Sequence, residues 1–228
     1  LDNALFDDTD IVEFLDPGGF SSAPTFQLGL GYEFNSWFRA DVTAQYRGKA
    51  DFNALDRYET TDDADPDTFD GTNDYTARKS ELVLMANAYV DMGTYSGVTP
   101  YFGAGVGASR NTISNFTDVN VPTSGVSYGG THSEWHLAWA LHAGVGFQIN
   151  DRLTLDLGYS FLHLGDAQSG DLISYDGTNT VYNPMVFNDI RSHDFRLGLR
   201  YKFGGGQAVA VVDDPAPSYE PDPLPIYK

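Results

Sequence analysis

The sequence has no cysteine, no long apolar run and few bases, and each shortage excludes something. Without cysteine among its 228 residues it has no disulfide scaffold and no thiolate metal site. No stretch of about 18 apolar residues occurs, so no transmembrane helix is expected. A closed β-barrel, which spans a bilayer on strands, is untouched by that exclusion. Thirteen Lys and Arg against 32 Asp and Glu give a net charge of −19, which argues against nucleic acid as a partner. The chain begins at Leu1 without Met or a basic-then-apolar leader, as expected where an export signal has been removed. No segment shows a helical period.

What is present is alternation. Phe26, Leu28, Leu30, Tyr32 and Phe34 alternate with Gln27, Gly29, Gly31 and Glu33. After Asn35-Ser36 the same rhythm resumes from Phe38 to Arg47. It recurs in 81–92, 98–109, 134–149, 152–161 and 193–203, which makes seven strands with two unlike faces. Short connections (Asn35-Ser36, 93–97, Asn150-Asp151) alternate with long polar ones at about 48–77, 110–133 and 166–190. Short turns at one end and long loops at the other describe an antiparallel up-and-down meander, the arrangement of outer-membrane barrels. The acids are concentrated off the strands: residues 1–25 hold six and no base, 53–76 hold eight, and 204–228 hold four.

A soluble, lipocalin-like barrel also alternates, so the two faces must be told apart. One face carries Gly29, Gly31, Gly103, Gly105, Gly107, Gly144, Gly146, Gly158 and Gly198. Glycine gains nothing on a water-exposed strand face, but it relieves crowding in a narrow barrel lumen. The same face carries Glu33, Arg39, Asp41, Arg47, Glu81, Asp91, Asp156, Arg196 and Arg200, ions of both signs expected to pair across a plugged interior. His136 and His142 share it, as expected hydrogen-bonded lumen residues. The opposite face has no charge in any strand core. Leu28, Leu30, Val42, Leu84, Phe102, Leu137, Trp139, Leu141, Leu155, Leu157, Leu197 and Leu199 are therefore expected to face lipid. Aromatic residues gather near the strand ends, where a membrane interface favours them.

These residues resemble the small OmpA-type outer-membrane barrels, especially the porin-like surface proteins of alpha-proteobacteria. The resemblance rests on "LGYEFNSWFRADVTAQYR" (30–47), "PYFGAGVGAS" (100–109), "AGVGFQINDRLTLDLGYSFLHLGD" (143–166) and "DFRLGLRYKF" (194–203). It implies an all-β, eight-stranded transmembrane barrel with a blocked lumen in the bacterial outer membrane. It also implies a role in envelope integrity, lipopolysaccharide contact and surface interaction. Seven strands are evident, so the first is expected upstream of, or within, residues 1–25, where "IVEF" (11–14) is a short candidate. The expected division is an acidic extracellular segment (1–25), the barrel (26–203) and a periplasmic tail (204–228).

Several motifs invite chemistry. "GVSYG" (125–129) formally matches a nucleophile elbow around Ser127, but no strand–turn–helix surrounds it. "GAGVGA" (103–108) resembles a dinucleotide fingerprint, yet strand alternation runs through it and no helix follows. His132, His163 and His193 lie near the expected extracellular rim without a defined triad. In the loop 53–76, Asp65, Asp67 and Asp70, with Asp62, Asp63 and Asp74, are hard oxygen donors suited to Ca²⁺, although the spacing is not that of an EF-hand. The Gly- and Pro-rich tail offers Tyr219, Leu224, Ile226 and Tyr227 as anchors for a periplasmic protein or peptidoglycan. The reading is a non-enzymatic structural barrel without a cofactor. The alternatives are a small diffusion channel and a lipocalin-like carrier.

Overall fold

The computed structural model describes residues 9–60, 71–121, 125–179 and 181–204. Among them are twelve strands and no helix: β1 (Thr9–Phe20), β2 (Thr25–Glu33), β3 (Phe38–Thr60), β4 (Gly71–Asp91), β5 (Val98–Asn120), β6 (Gly125–Gly129), β7 (His132–Gln148), β8 (Leu153–His163), β9 (Ala167–Gln168), β10 (Leu172–Ser174), β11 (Val186–Phe187) and β12 (Arg191–Tyr201). The main sheet runs β1-β3-β4-β5-β7-β8-β12, antiparallel throughout, with β2 also on β3. The alternation read in the sequence is thus an up-and-down all-β meander.

Each short turn has a local cause. Asn35 accepts hydrogen bonds at Oδ1 from the Trp37 and Phe38 amides (2.9 and 2.7 Å), and Asn150 does the same for Arg152 and Leu153 (2.9 and 3.0 Å). Such side-chain turns reverse the chain in a few residues. The third turn places Gly93 and Gly97 at φ of 87° and 82°, conformations that suit glycine.

β1 corrects two expectations for residues 1–25. Residues 9–20 are strand rather than loop. They pair with the far half of β3 (Thr9↔Thr60 to Phe20↔Phe52), in line above β2, which pairs with the near half (Thr25↔Arg47 to Glu33↔Arg39). "IVEF" therefore extends the β2 stave and is not an eighth one. Seven staves are described, and among the described residues no backbone pairing joins β2 to β12. The sheet nevertheless curls until side chains meet across that seam: Lys202 Nζ lies 2.7 Å from Glu33, and Gln45 Nε2 lies 3.3 Å from Asp194.

The long connections expected at 48–77, 110–133 and 166–190 are also largely strand or packed chain. β3 runs on to Thr60, β4 starts at Gly71, and β5 reaches Asn120. Near the outer ends β5 exchanges β7 for β6, and β6 in turn pairs with β10. Two bulges accompany this extension. In β3, Gly48 and Lys49 together oppose Ser80; in β5 the register slips around Asn115, which has φ of 54°. A bulge adds one residue and so re-aims everything beyond it.

Candidate functional site

The inside of the curled sheet is filled, level by level. Nearest the short turns, the Arg39 guanidinium meets Asp91 at 3.1 Å and lies between the rings of Tyr89 and Tyr101, 4.2 and 4.7 Å from their centroids. Beside it Arg200 reaches Asp156 (3.3 Å) and Glu33 (3.9 Å). The inward glycines make room for these side chains. A Cβ on Gly144 would stand 2.5 Å from the Tyr101 hydroxyl, and one on Gly105 would stand 2.0 Å from Asn87 Oδ1.

The middle level centres on His142. Its Nδ1 lies 3.2 Å from Arg196 Nη2, which can only donate, so Nδ1 accepts and Nε2 carries the proton. Nε2–H then donates to Asn87 Oδ1 (3.1 Å), and the Ser160 hydroxyl donates to Nδ1 (2.7 Å). Asn87 Nδ2 donates to Asp41 (2.7 Å) and Thr43 (3.2 Å). A Ser–His–Asn chain looks catalytic on paper. Here the cavity touching it has a volume of only about 10 Å³, near the least that holds one water.

The third level is a five-membered ionic knot. Arg47 bonds Asp194 and Ser192 and lies 3.3 Å from Glu81, while Lys79 bonds the other oxygen of Glu81. The ammonium of Lys79 also sits 4.5 Å over the Phe20 ring. That contact marks the change of solvent inside the fold. Above it the interior is apolar: Phe52, Ala54, Tyr75, Ala77, Ile113 and Phe116 from β3–β5 pack against Leu164, Ala167, Leu172, Met185, Phe187 and Ile190. Phe20, Phe52 and Phe187 form a ring trio with centroids 5.0–5.4 Å apart. Asn111, nearly fully buried, pins the covering segment by donating to the carbonyls of Leu164 (2.8 Å) and Asp166 (2.7 Å).

Within this upper core lies a second polar feature. Asp56, fully buried, accepts from the Tyr75 hydroxyl (2.6 Å) and the Asn73 amide (3.1 Å). Burial, and then the neighbouring Asp56 charge, push the Asp118 carboxyl up to about 7, and its buried Oδ1 has no hydrogen-bond partner among the described residues.

The structure brings together all nine charged residues named from the sequence, as ion pairs or hydrogen-bonded neighbours on the inner face. The charge network named from the sequence left out Lys79 and Asp194, which lie on the same period-two face as its members. Sequence reasoning also missed the apolar interior, for which the sequence carries no plain signal. Of the twelve apolar residues expected to face lipid, eleven are exposed, Leu30 and Leu137 each by 73 %, and Leu155 is partly buried. Ser127 stands mid-strand in β6, paired with Ser174 and Asp118, so the elbow geometry is not formed. His163 stacks on Trp139 (5.6 Å) and lies 3.3 Å from Asp189, while His193 meets the Tyr159 hydroxyl at 2.6 Å. Asp65, Asp67, Asp70 and the tail anchors Tyr219, Leu224, Ile226 and Tyr227 lie outside the described residues. Among the described residues no cluster of three or more metal-ligating side chains occurs.

The chain is similar to an uncharacterized protein of Brucella abortus, 31% identical over 78% of this chain and 68% of that one. It is also similar to the outer membrane protein PagN of Salmonella typhimurium (25% identical; 81% and 70% covered) and to a putative adhesin of Rickettsia felis (27% identical; 76% and 72% covered). A crystal structure of Neisserial surface protein A matches 73% of this chain and 84% of its own at 17% identity and a TM-score of 0.35. Residues 4–203 match the family described as outer membrane protein beta-barrel domain. An all-β meander with its leucines outside and its ions inside, matched over nearly its whole described length, belongs to that outer-membrane β-barrel family.

Proposed function

We propose that the protein is a sealed, non-catalytic barrel of the bacterial outer membrane that supports the envelope and presents its long-loop end to the exterior. The observation that supports this reading is the filled interior: three polar levels lie beneath an apolar core, and the cavity at the His142 level has a volume of only about 10 Å³. On the outer face, β4 turns apolar residues outward from Val90 to Leu82, and Met92 continues the run just beyond its end. That run rises about 25 Å once a barrel's strand tilt is included, the thickness of an outer-membrane apolar band. The similarity to a putative adhesin of Rickettsia felis supports a surface role for the upper, outer half of the fold. On this reading the tail hangs in the periplasm, where Tyr219, Leu224, Ile226 and Tyr227 engage a protein or peptidoglycan. Ca²⁺ at Asp65, Asp67 and Asp70 belongs to the same reading, as an ion site on the exterior.

Reconstitution in planar bilayers tests the central point. The refolded protein is expected to shift its gel mobility on heating and to give no unit conductance. Discrete conductance steps from the folded form would instead favour a diffusion channel. A protein that stays soluble and folded without detergent would favour a carrier.

A further inference from the structure

The upper sheet has two kinds of outer face. On β1, β3 and β4 that face is charged, and each of its bases is held by an acid: Arg57 by Glu13 and Arg78 by Asp51, both at 3.1 Å. On β5, β6 and β10, the outward positions above Ser114 hold no Lys, Arg, Asp or Glu among the described residues. Two rows cross this second face. Val119 pairs with Val126, whose carbonyl accepts from the Tyr175 amide (2.8 Å). Thr117 pairs with Tyr128, and Tyr128 with Ile173. Tyr175 is 82 % exposed, and Val126 and Tyr128 are exposed as well. The "GVSYG" segment, which forms no nucleophile elbow, thus serves as a strand that turns Val126 and Tyr128 out to water.

Acids border this patch on both sides. Asp74 pairs with Val119 and is exposed, with no ion-pair or hydrogen-bond partner among the described residues. At the other end of the same row, exposed Asp176 follows Tyr175; its Oδ1 accepts from the Thr178 amide (2.9 Å) and hydroxyl (2.6 Å), which fixes the turn beside the ring. From Leu82, the uppermost apolar belt residue of β4, to Asp74 the strand climbs about 20 Å at a barrel's tilt, so the patch stands clear of lipid. Apolar side chains gathered on a water-exposed face mark a contact surface. Tyrosine in such a setting is a residue on which binding energy concentrates.

We propose that the β5–β6–β10 face docks a protein whose contact centre is apolar and whose rim carries Lys or Arg. Tyr175, Tyr128 and Val126 form the centre on this side, and Asp74 and Asp176 receive the partner's bases at the rim. Charge selects this occupant. A second copy would set acid against acid in a chain of net charge −19, and a polyanionic glycan would meet the same two carboxylates. The bases nearest the patch, Arg57 and Arg78, are already paired with acids of this chain, so they offer such a ligand nothing. The proposal rests on the reading that the long-loop end faces the exterior.

Random peptides displayed on phage, selected against the full chain refolded in detergent micelles, test it. The selected peptides are expected to combine Lys or Arg with aromatic or aliphatic residues. Their affinity is expected to fall about tenfold for Tyr175→Ala and about threefold for Asp74→Asn. Asp151→Asn, at a short turn, is the control and is expected to bind as wild type does. Selected peptides without bases, no selection above background, unchanged binding to either variant, or an equal loss in the control overturns the proposal. Each variant is first scored for the heat-dependent mobility shift, and Tyr128→Ser replaces Tyr175→Ala if the latter does not fold. A labelled peptide is then added to intact cells that carry the protein, and is expected to stain them more than cells carrying Tyr175→Ala. Binding to the purified chain without staining of cells overturns the exterior placement, a different failure from a patch that binds no basic peptide.

Discussion

The lower and upper halves of β3, β4 and β5 are built from the same strands in opposite ways. Below Lys79, the outward residues of β4 are Leu82, Leu84, Ala86, Ala88 and Val90, and the inward ones include Glu81, Asn87, Tyr89 and Asp91. Above it the outward residues are Ser80, Arg78, Thr76, Asp74 and Thr72, and the inward ones Ala77 and Tyr75. The lower half keeps its ions inside and its leucines outside; the upper half is an ordinary water-exposed sheet over an apolar core. The difference teaches that alternation fixes two faces while the surrounding medium decides which is which. One strand can answer to two media along its length.

The largest effect that would break this comparison is in the upper core. Phe116→Ala, at a fully buried site, is expected to cost about 3–5 kcal/mol and to expose segment 164–190 to protease while the lower barrel keeps its heat-dependent mobility. Loss of both together would mean that the halves are one cooperative unit. Next, Leu141→Arg on the lower outer face is expected to cost about 2–4 kcal/mol in a denaturant titration in liposomes. The same base at Thr76, outward on the upper half, should shift stability by no more than about 0.5 kcal/mol. Equal effects would erase the assignment of media.

Asp118 gives a pH-dependent handle on the upper half alone. Its folded value of about 7 lies above the unfolded 3.8, so the native state holds the proton more tightly. The corresponding stability is fully present below about pH 4 and is lost as pH rises through 7. Asp118→Asn should remove that slope and stabilise the upper half by about 2 kcal/mol at pH 8, allowing for partial solvent screening. A pH-independent wild type would contradict the burial described for this carboxyl. The smallest expected effect is Arg78→Gln, which breaks the exposed pair with Asp51. It should change stability by less than about 1 kcal/mol and fade further in high salt.

Much of the lower half was legible in the sequence because lipid tolerates no outward charge and a narrow lumen demands glycine and paired ions. Leu30, Leu137 and Leu197 outside, against Arg39 and Glu81 inside, orient five of the seven staves, and Phe102 and Asp156 orient the other two. The upper half was not legible, for a specific reason in β3. Its even-numbered residues stay apolar from Phe38 through Ala44 and Tyr46 to Ala50, Phe52 and Ala54, with no break in sequence phase. The bulge at Gly48-Lys49 swaps their face in space, and nothing in the residue pattern announces it. In β5 the swap comes at Asn115, within a stretch whose Ser, Thr and Asn content reads as loop. The ion partners across the seam, such as Arg47 with Asp194, join residues far apart in the chain. Which acid serves which base therefore depended on the curl of the sheet.

The bulge in β3 also governs where the chain can change length. Because Gly48 and Lys49 share one opposing residue, removing either would restore a plain ladder and leave Phe52 and Ala54 where they now lie. The same deletion a few residues away, at Val42 or Asn53, would turn the remainder of the strand inside out. The hinge point between the two media is thus also the strand's one place of slack, where gain or loss of a codon would be least felt.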